Sequence, residues 1–181
     1  MKTPSRRDEI IAVARELLDT EGAEGLTMRA IATELSIRAP SLYRHIADKH
    51  ELEVALIVDG LTEQAEAFET VVDGAADPIA AIAIVYRSWA LAHPHRYRLM
   101  TDQPLPREDL PEGLEDRAAA PLLNALGGDI DRARATWAFA HGMVTLELAD
   151  RFPPDADIDA AWTTGLNGIA NTHMTEKGID T

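Results

Sequence analysis

The chain has 181 residues, of which 46% are hydrophobic, so it is long enough for one sizeable core or for a small domain joined to a larger one. It contains no cysteine, which excludes disulfides, thiol catalysis and cysteine-based zinc sites, and no apolar run approaches the roughly 18 residues of a membrane helix. The net charge of −14 is carried by residues 51–181, because residues 1–50 hold eight basic and eight acidic residues.

The first clear pattern is a pair of short helices between residues 27 and 46. Thr27 can cap the first helix, because its hydroxyl can accept a hydrogen bond from the first turn. Apolar residues follow at spacings of three and four, which is the period of a helix: Ile31, Ala32 and Leu35. A turn at 36–38 leads to a second helix that opens at Ala39-Pro40, where the missing N–H of proline is harmless. Leu42 and Ile46 lie four residues apart and face inward.

The other face of the second helix is polar, with Ser41, Arg44 and His45 exposed and Tyr43 at the flank. A helix that reads DNA needs hydrogen-bond donors on one side and a packed apolar stripe on the other. The pattern therefore fits a helix-turn-helix. It also fits a helical hairpin with a solvated polar face, which is the commoner structure, so the spacing alone leaves both interpretations open.

Three stretches resemble the N-terminal DNA-binding domain of the TetR family of bacterial transcription regulators. They are Thr27-Met28-Arg29, the run Leu-Tyr-Arg-His-Ile at 42–46, and Asp48-Lys49 followed by Leu52. The resemblance is nearly continuous from about Ile10 to Leu56. It implies a three-helix helix-turn-helix domain over residues 1–50.

The resemblance also implies roles for the positions that match. Phosphate contacts are implied for Thr27, Tyr43 and Lys49, and a place at the DNA surface for His45. Positions from which family members touch bases or the adjoining backbone are occupied by Arg29, Ala39, Pro40 and Ser41. Charge and exposure add Arg38 and Arg44. A bidentate pair of Arg29 or Arg38 with guanine would discriminate between bases by roughly 1–3 kcal/mol.

The turn position that often holds glycine in this family is Ser36 here. A left-handed backbone conformation costs other residues on the order of 1–2 kcal/mol. The serine therefore predicts either a small loss of stability or a slightly different turn. Ahead of these helices, Lys2, Arg6 and Arg7 form a basic arm that could approach a neighbouring groove.

Helical periodicity continues through the rest of the chain. A long helix that joins two domains is predicted from a cap at Asp48, with Glu51 three residues on, to about Val72. Prolines at 104, 106 and 111 break the chain into a loop. Other helices are predicted over residues 77–93, 95–101, 112–126, 129–152 and 157–173. The predicted fold is therefore all-α, with a helical bundle over residues 51–181.

The helix at 129–152 is apolar on two faces, so it needs two partners. One face holds Ile130, Ala133, Trp137, Val144 and Leu148, and the other holds Phe139, Met143 and Leu146. One face can pack inside its own subunit and the other against a second chain, together with the last helix, in a two-fold four-helix interface. The residues predicted for this interface are Trp137, Val144, Leu148, Trp162, Gly165 and Ile169.

The run from Trp137 to Gly142, with His141, followed by Leu-Glu-Leu at 146–148, resembles the Trp-His-Gly signature of one class of TetR-family C-terminal domains. His93-Pro94, with the run at 97–100, is similar to the upstream motif of that class. The resemblance implies a ligand-sensing and dimerising domain, and it names no chemical. A pocket between helices is predicted from Tyr86, Trp89, Met100, Phe139 and Met143, and plain core packing explains the same residues equally well.

No catalytic constellation is present: the chain has no glycine-rich phosphate loop, nucleophile elbow or zinc-protease helix. We therefore predict that the protein is not an enzyme and holds no cofactor. His93, His95 and His141 with Asp102 could be drawn as a metal site, but ordinary helix-end or buried histidines explain them better, and no metal is predicted. An enzyme or a helical metal-binding protein is the poorer alternative.

Together these features predict a cytoplasmic, homodimeric, ligand-responsive repressor. Its partners would be double-stranded DNA with an inverted repeat, an unidentified small molecule and a second copy of the chain, with no membrane. The alternative within DNA-binding proteins is an architectural or ligand-independent dimer.

Overall fold

The computed structural model of the chain describes residues 5–171, and these residues form helices joined by turns. The prediction of an all-α fold is confirmed. The chain divides into two compact units, one made of Met1–Glu63 and Ala92–Glu115 and the other of Gln64–Leu91 and Asp116–Thr181. The predicted functional boundary at residue 50 stays a prediction.

The helices are numbered in chain order. They are α1 (Arg6–Gly25), α2 (Met28–Glu34), α3 (Ala39–Leu42), α4 (Lys49–Val72), α5 (Pro78–Ala92), α6 (Pro94–Thr101), α7 (Leu114–Ala125), α8 (Ile130–Leu148) and α9 (Ile158–Asn171), with a short 3-10 turn at Arg107–Asp109. The predicted helix that joins two domains is α4, which passes from the first unit into the second. The part of the last predicted helix beyond residue 171 lies outside the described residues.

The start of α1 is fixed by a reciprocal cap. The Asp8 N–H donates to Ser5 Oγ at 3.2 Å, and the Ser5 N–H donates to Asp8 Oδ2 at 2.8 Å. Arg6 and Arg7 therefore belong to the first turn of a helix rather than to a separate arm, and their approach to a neighbouring groove stays a prediction. Lys2, the third residue of that arm, lies outside the described residues.

The core of the first unit lies among α1, α2, α3 and the first half of α4. Leu35, one of the inward positions predicted from the helical spacing, is only half-buried. Ile31, Leu42 and Ile46 are fully or almost fully buried. Burial of each such side chain stabilises the fold by about 1.5–3 kcal/mol. The core residues are Ile10, Ala14, Leu17, Leu18, Leu26, Ile31, Ala32, Leu42, Ile46, Leu52 and Leu56.

Two helix ends differ from the predictions. The second helix of the predicted pair ends at Leu42 instead of reaching Ile46, and the chain continues as a turn in which the N–H of Ile46 still donates to Leu42 O at 3.0 Å. The helix predicted to reach residue 152 ends at Leu148. Asp150 adopts a φ of 51°, and the N–H of Arg151 donates back to Leu146 O at 3.0 Å. This terminating motif satisfies the last carbonyls of α8.

The second unit is held together around one arginine. Arg87 of α5 donates to Glu147 Oε2 of α8 from Nε at 2.9 Å and from Nη2 at 2.7 Å, and it also pairs with Asp159 of α9. Its guanidinium lies 5.7 Å from the ring centroid of Trp162. The ion pairs therefore join three helices at one point. Within residues 5–171, no helix is long and apolar enough to cross a membrane.

Candidate nucleic-acid interface

The turn between α2 and α3 is built by residues that satisfy the end of α2. The N–H of Ser36 donates to Thr33 O and the N–H of Ile37 donates to Ala32 O, both at 2.9 Å. Ser36 has a φ of 52°, so the turn keeps the left-handed conformation that usually favours glycine. Of the two outcomes that the serine predicts, the structure shows the left-handed turn, with serine in the strained position.

The ten residues predicted to contact DNA all lie between the N-cap of α2 and the first residue of α4. Most are exposed, and Tyr43 keeps 52% of its surface accessible. The exposed ones are Thr27, Arg29, Arg38, Pro40, Tyr43, Arg44, His45 and Lys49, and the half-buried ones are Ala39 and Ser41. Their individual contacts with DNA stay predictions.

Thr27 caps α2, as its sequence position predicts, because its Oγ1 accepts the N–H of Ala30 at 3.1 Å. An accepting hydroxyl still has its own proton to donate. The same side chain can therefore fix the start of α2 and offer a hydrogen bond to a phosphate oxygen.

The arginines predicted to contact DNA differ in the contacts that their guanidinium groups make within the chain. Arg44 Nη2 lies 3.4 Å from Ser41 Oγ, which is a weak contact. Within residues 5–171, the guanidinium groups of Arg29 and Arg38 form no ion pair or hydrogen bond. Their guanidinium groups are thus free to bind a ligand with all five donors.

Lys49 is the first residue of α4, and its Nζ lies 3.5 Å from Glu53 Oε1. Asp48 precedes it and accepts the N–H of Glu51 at 2.8 Å. Glu51 in turn accepts the N–H of Ala47 through Oε2 at 2.7 Å. The hydrogen bond from Ala47, and then the guanidinium of Arg7, lower the pKa of Glu51 below its ordinary value.

A second group of charges ties the 3-10 turn to the start of α4. His50 Nε2 lies 2.9 Å from Asp109 Oδ2, and both side chains are exposed. The hydrogen bond and the charge of Asp109 raise the pKa of His50. The predictions from sequence missed this pair, because the two residues lie 59 positions apart and only the fold brings them together.

The predicted pocket residues are divided between the two units. Met100 lies in the first unit, where its sulfur packs against Gly60. The other four lie in the second unit, where Tyr86 and Met143 are buried and Trp89 and Phe139 are half-buried. None of the five lines the cavity of about 410 Å³ in the first unit, which is bounded by Arg7, Ile11, Asp48, His50, Glu51, Val54, Ala55, Val58, Asp59, Asp109 and Pro111. A ligand pocket at those five residues stays a prediction.

The residues predicted for the dimer interface differ in exposure. Trp137 is 52% exposed, and its ring stacks on His141 with centroids 5.5 Å apart. Leu148, Gly165 and Ile169 are partly exposed. Val144 is fully buried within the chain, and Trp162 is 5% exposed.

The surroundings of Trp162 explain its burial. Its Nε1–H donates to Glu147 Oε1 at 2.8 Å, and the ring of Phe139 packs edge-on against it with centroids 5.7 Å apart. Phe139 also lies against Gly165, where a side chain would collide with the ring. The packing inside one chain therefore uses part of the surface that the sequence assigned to a second chain.

The histidines considered as metal ligands have other contacts. Arg96 Nη2 donates to His93 Nδ1, the ring of His95 packs against Gly22, and His141 stacks on Trp137. Gly22 has a φ of 73°, and a Cβ there would lie 3.0 Å from His95 Nδ1, so both the backbone and the space favour glycine. In the part of the chain that the structure describes, no three histidine, aspartate or glutamate residues are grouped to hold a metal ion.

Comparison with known proteins agrees with this geometry. Residues 10–56 match the model of bacterial regulatory proteins of the tetR family, and residues 79–169 match that of the tetracyclin repressor-like C-terminal domain. The second match includes the Trp-His-Gly motif.

The chain is 34% identical over 167 residues to the HTH-type transcriptional regulator Rv0681 of Mycobacterium tuberculosis, a match that covers 87% of this chain and 76% of that protein. The crystal structure of the regulatory protein SCO4313 superposes with a TM-score of 0.73 at 28% identity, over 92% of this chain and 98% of that one.

A crystal structure of the multidrug binding protein EbrR complexed with imidazole has a TM-score of 0.64 at 25% identity, over 91% of this chain and 95% of that one. Of these three relatives, one is named a transcriptional regulator, one a regulatory protein and one a multidrug binding protein. The prediction that the chain is not an enzyme agrees with the family. The chain belongs to the TetR family of bacterial transcription regulators.

Proposed function

We propose that the protein is a homodimeric repressor that binds an inverted repeat and leaves it when a small molecule binds. The observation that carries the DNA-binding part is the surface from Thr27 to Lys49. There, a buried apolar side holds the helix-turn-helix together, while the guanidinium groups of Arg29 and Arg38 lie exposed and form no ion pair with any of residues 5–171. Two such surfaces in a dimer would enter major grooves separated by about 34–36 Å or somewhat more.

Charge supports selective rather than general binding. The first 50 residues are neutral overall, whereas residues 51–181 carry the whole net charge of −14. The acidic remainder repels bulk DNA, so affinity depends on the local contacts near α3. Loss of one phosphate contact, as in Lys49→Ala, should reduce the slope of log affinity against log salt by about 0.9.

The outer side of α8 supports a dimer. Ile130 and Trp137 are about half exposed and Leu148 partly so, and their spacings of seven and eleven residues place them on one side of the helix. Two large apolar side chains that are half exposed on one side of a helix, Ile130 and Trp137, indicate a surface that is covered in the assembled protein. Because Val144 and Trp162 are buried within the chain, we centre the interface on Trp137.

A small-molecule effector is supported by the likeness to EbrR, which is described as a multidrug binding protein. In this chain, a ligand would release DNA only if it binds one conformer more tightly than the other. Helix α4 begins at the proposed phosphate contact and ends in the second unit, so we expect it to transmit the effect of ligand binding to the DNA-binding residues.

The first experiment is selection of a random duplex library on the purified protein at near-physiological salt, followed by sequencing. An enriched inverted repeat is expected for a dimeric repressor, and no enrichment would contradict sequence-selective binding. A thermal-shift screen then separates a ligand sensor from a ligand-independent dimer, because a ligand that binds the folded state raises its melting temperature.

A further inference from the structure

A carboxylate, Glu51, lies beside the turn that links α3 to α4. Its Oε2 accepts the N–H of Ala47 at 2.7 Å, and its Oε1 accepts from Arg7 Nη2 of α1 at 3.1 Å. The N–H of Glu51 donates to Asp48 Oδ1 at 2.8 Å. The side chain thus joins three segments: the start of α1, the end of the turn and the first turn of α4.

A negative charge at this place opposes DNA binding by Coulomb repulsion, since Lys49 lies two residues away and is proposed to meet a phosphate. The guanidinium of Arg7 and the N-terminus of α4 compensate that charge locally. Electrostatics alone gives no benefit to DNA binding from Glu51. A benefit can come only from the hydrogen bond that Glu51 accepts from the N–H of Ala47, because this bond holds the backbone just before Lys49 in place.

We propose that Glu51 is a positioning residue for the phosphate contact of Lys49, acting through the backbone of Ala47 and anchored by Arg7. This inference rests on the proposed DNA-binding function. It assigns to an acidic residue a favourable role in binding a polyanion.

Glu53 provides a matched control on the same helix. Its Oε1 lies 3.5 Å from Lys49 Nζ, so it competes directly with a phosphate for the ammonium group. Removal of Glu53 should therefore tighten DNA binding. Removal of Glu51 deletes the same charge but should weaken binding, so the two variants are expected to change affinity in opposite directions.

The experiment measures the affinity of the full-length protein for a random-sequence duplex pool at low salt, because a phosphate contact does not depend on sequence. Glu51→Ala should bind about two- to tenfold more weakly, the range expected when one hydrogen bond is lost. Glu53→Ala should bind about two- to threefold more tightly, as for removal of an exposed ion pair that competes with the ligand. Equal tightening in both variants would overturn the proposal.

Two further variants separate positioning from folding. Glu51→Gln keeps an oxygen that can accept the N–H of Ala47, so its affinity should be at or above that of the wild type, and a loss equal to that of Glu51→Ala would overturn the proposal. In a Lys49→Ala background, Glu51→Ala should have little further effect, because it acts through Lys49. Additive losses would mean that Glu51 only stabilises the fold.

The outcomes also distinguish this inference from the proposed function. If the wild-type protein binds the duplex pool and Lys49→Ala weakens binding while Glu51→Ala does not, only the positioning role is refuted. If the wild type does not bind duplex DNA even at low salt, the proposed function fails and the positioning role fails with it.

Discussion

Replacing Arg96 tests whether ion pairs hold the first unit together, because the side chain of this residue is only 8% exposed and joins three helices. From α6 it donates through Nε to Asp19 Oδ1 of α1 and through Nη1 to Glu63 Oε2 of α4, both at 2.9 Å. We expect Arg96→Met, which keeps the length of the side chain, to destabilise the protein.

The magnitude follows from the exposure of the partners. Breaking a buried ion pair by removing one member costs about 3–5 kcal/mol, because the other charge is left without compensation. The side chains of Asp19 and Glu63 are 33% and 36% exposed, so water can replace part of the lost interaction. The expected loss in the free energy of unfolding is therefore about 2–3 kcal/mol.

The assay is urea denaturation followed by far-UV circular dichroism at one fixed protein concentration, since a dimer makes stability depend on concentration. Tryptophan fluorescence is unsuitable, because Trp89, Trp137 and Trp162 all lie in the second unit. With a slope near 2 kcal/mol per molar urea, the midpoint should fall by about 1–1.5 M.

Arg134→Ala is the control, since this arginine is 71% exposed and, among the residues that the structure describes, pairs only with the exposed Asp131. It should change the free energy of unfolding by no more than about 0.5 kcal/mol. If Arg96→Met changes the stability as little as Arg134→Ala does, the ion pairs of Arg96 do not hold the three helices together.

Three other outcomes are expected. Arg38→Ala should relax the preference at one base pair by about 1–3 kcal/mol in binding selections, without a uniform loss across sequences. Trp137→Glu should produce monomers in sedimentation, because a charge replaces the largest exposed apolar side chain of α8. Asp109→Asn should lower the pKa of His50 in an NMR titration. A raised pKa in the folded state means that the ion pair contributes fully below pH 6.5 and loses its contribution as the pH rises through the raised pKa.

Each of these three predictions would be contradicted by one result. An unchanged base preference in Arg38→Ala would remove that arginine from direct readout. A Trp137→Glu variant that stays dimeric would move the interface away from the exposed side of α8. An unchanged titration of His50 in Asp109→Asn would show that the pair is not formed in solution.

The predictions from sequence succeeded where the signal is local. Thr27 caps α2, and Asp77, Asp129 and Asp157 each accept a hydrogen bond from the first turn of the helix that follows. A helix cap involves residues within three positions of one another, and the regular spacing of apolar residues can be read within a single helix. For these reasons, the existence of the long helices, their starts and the inward face of the helix-turn-helix could be predicted before the structure.

Contacts between residues far apart in the chain depend on the fold. The sequence places Trp162 on an apolar face of the last helix, which predicts a position in the dimer interface. The structure decides for the interior, because Glu147 and Phe139 meet it from another helix. The exposure of a side chain depends on which helices pack against it, and the spacing of apolar residues along one helix does not show this.

The sequence by itself determined the helical architecture and the family resemblance, since both rest on residue types at short, regular spacings. The resemblance then identified the helix-turn-helix, which the spacing alone had left open. Only the tertiary structure decided which charges meet: Arg96 with Asp19 and Glu63, and Arg7 with Glu51. Charged side chains on helix surfaces have many possible partners in a sequence, and their pairing depends on how distant helices pack.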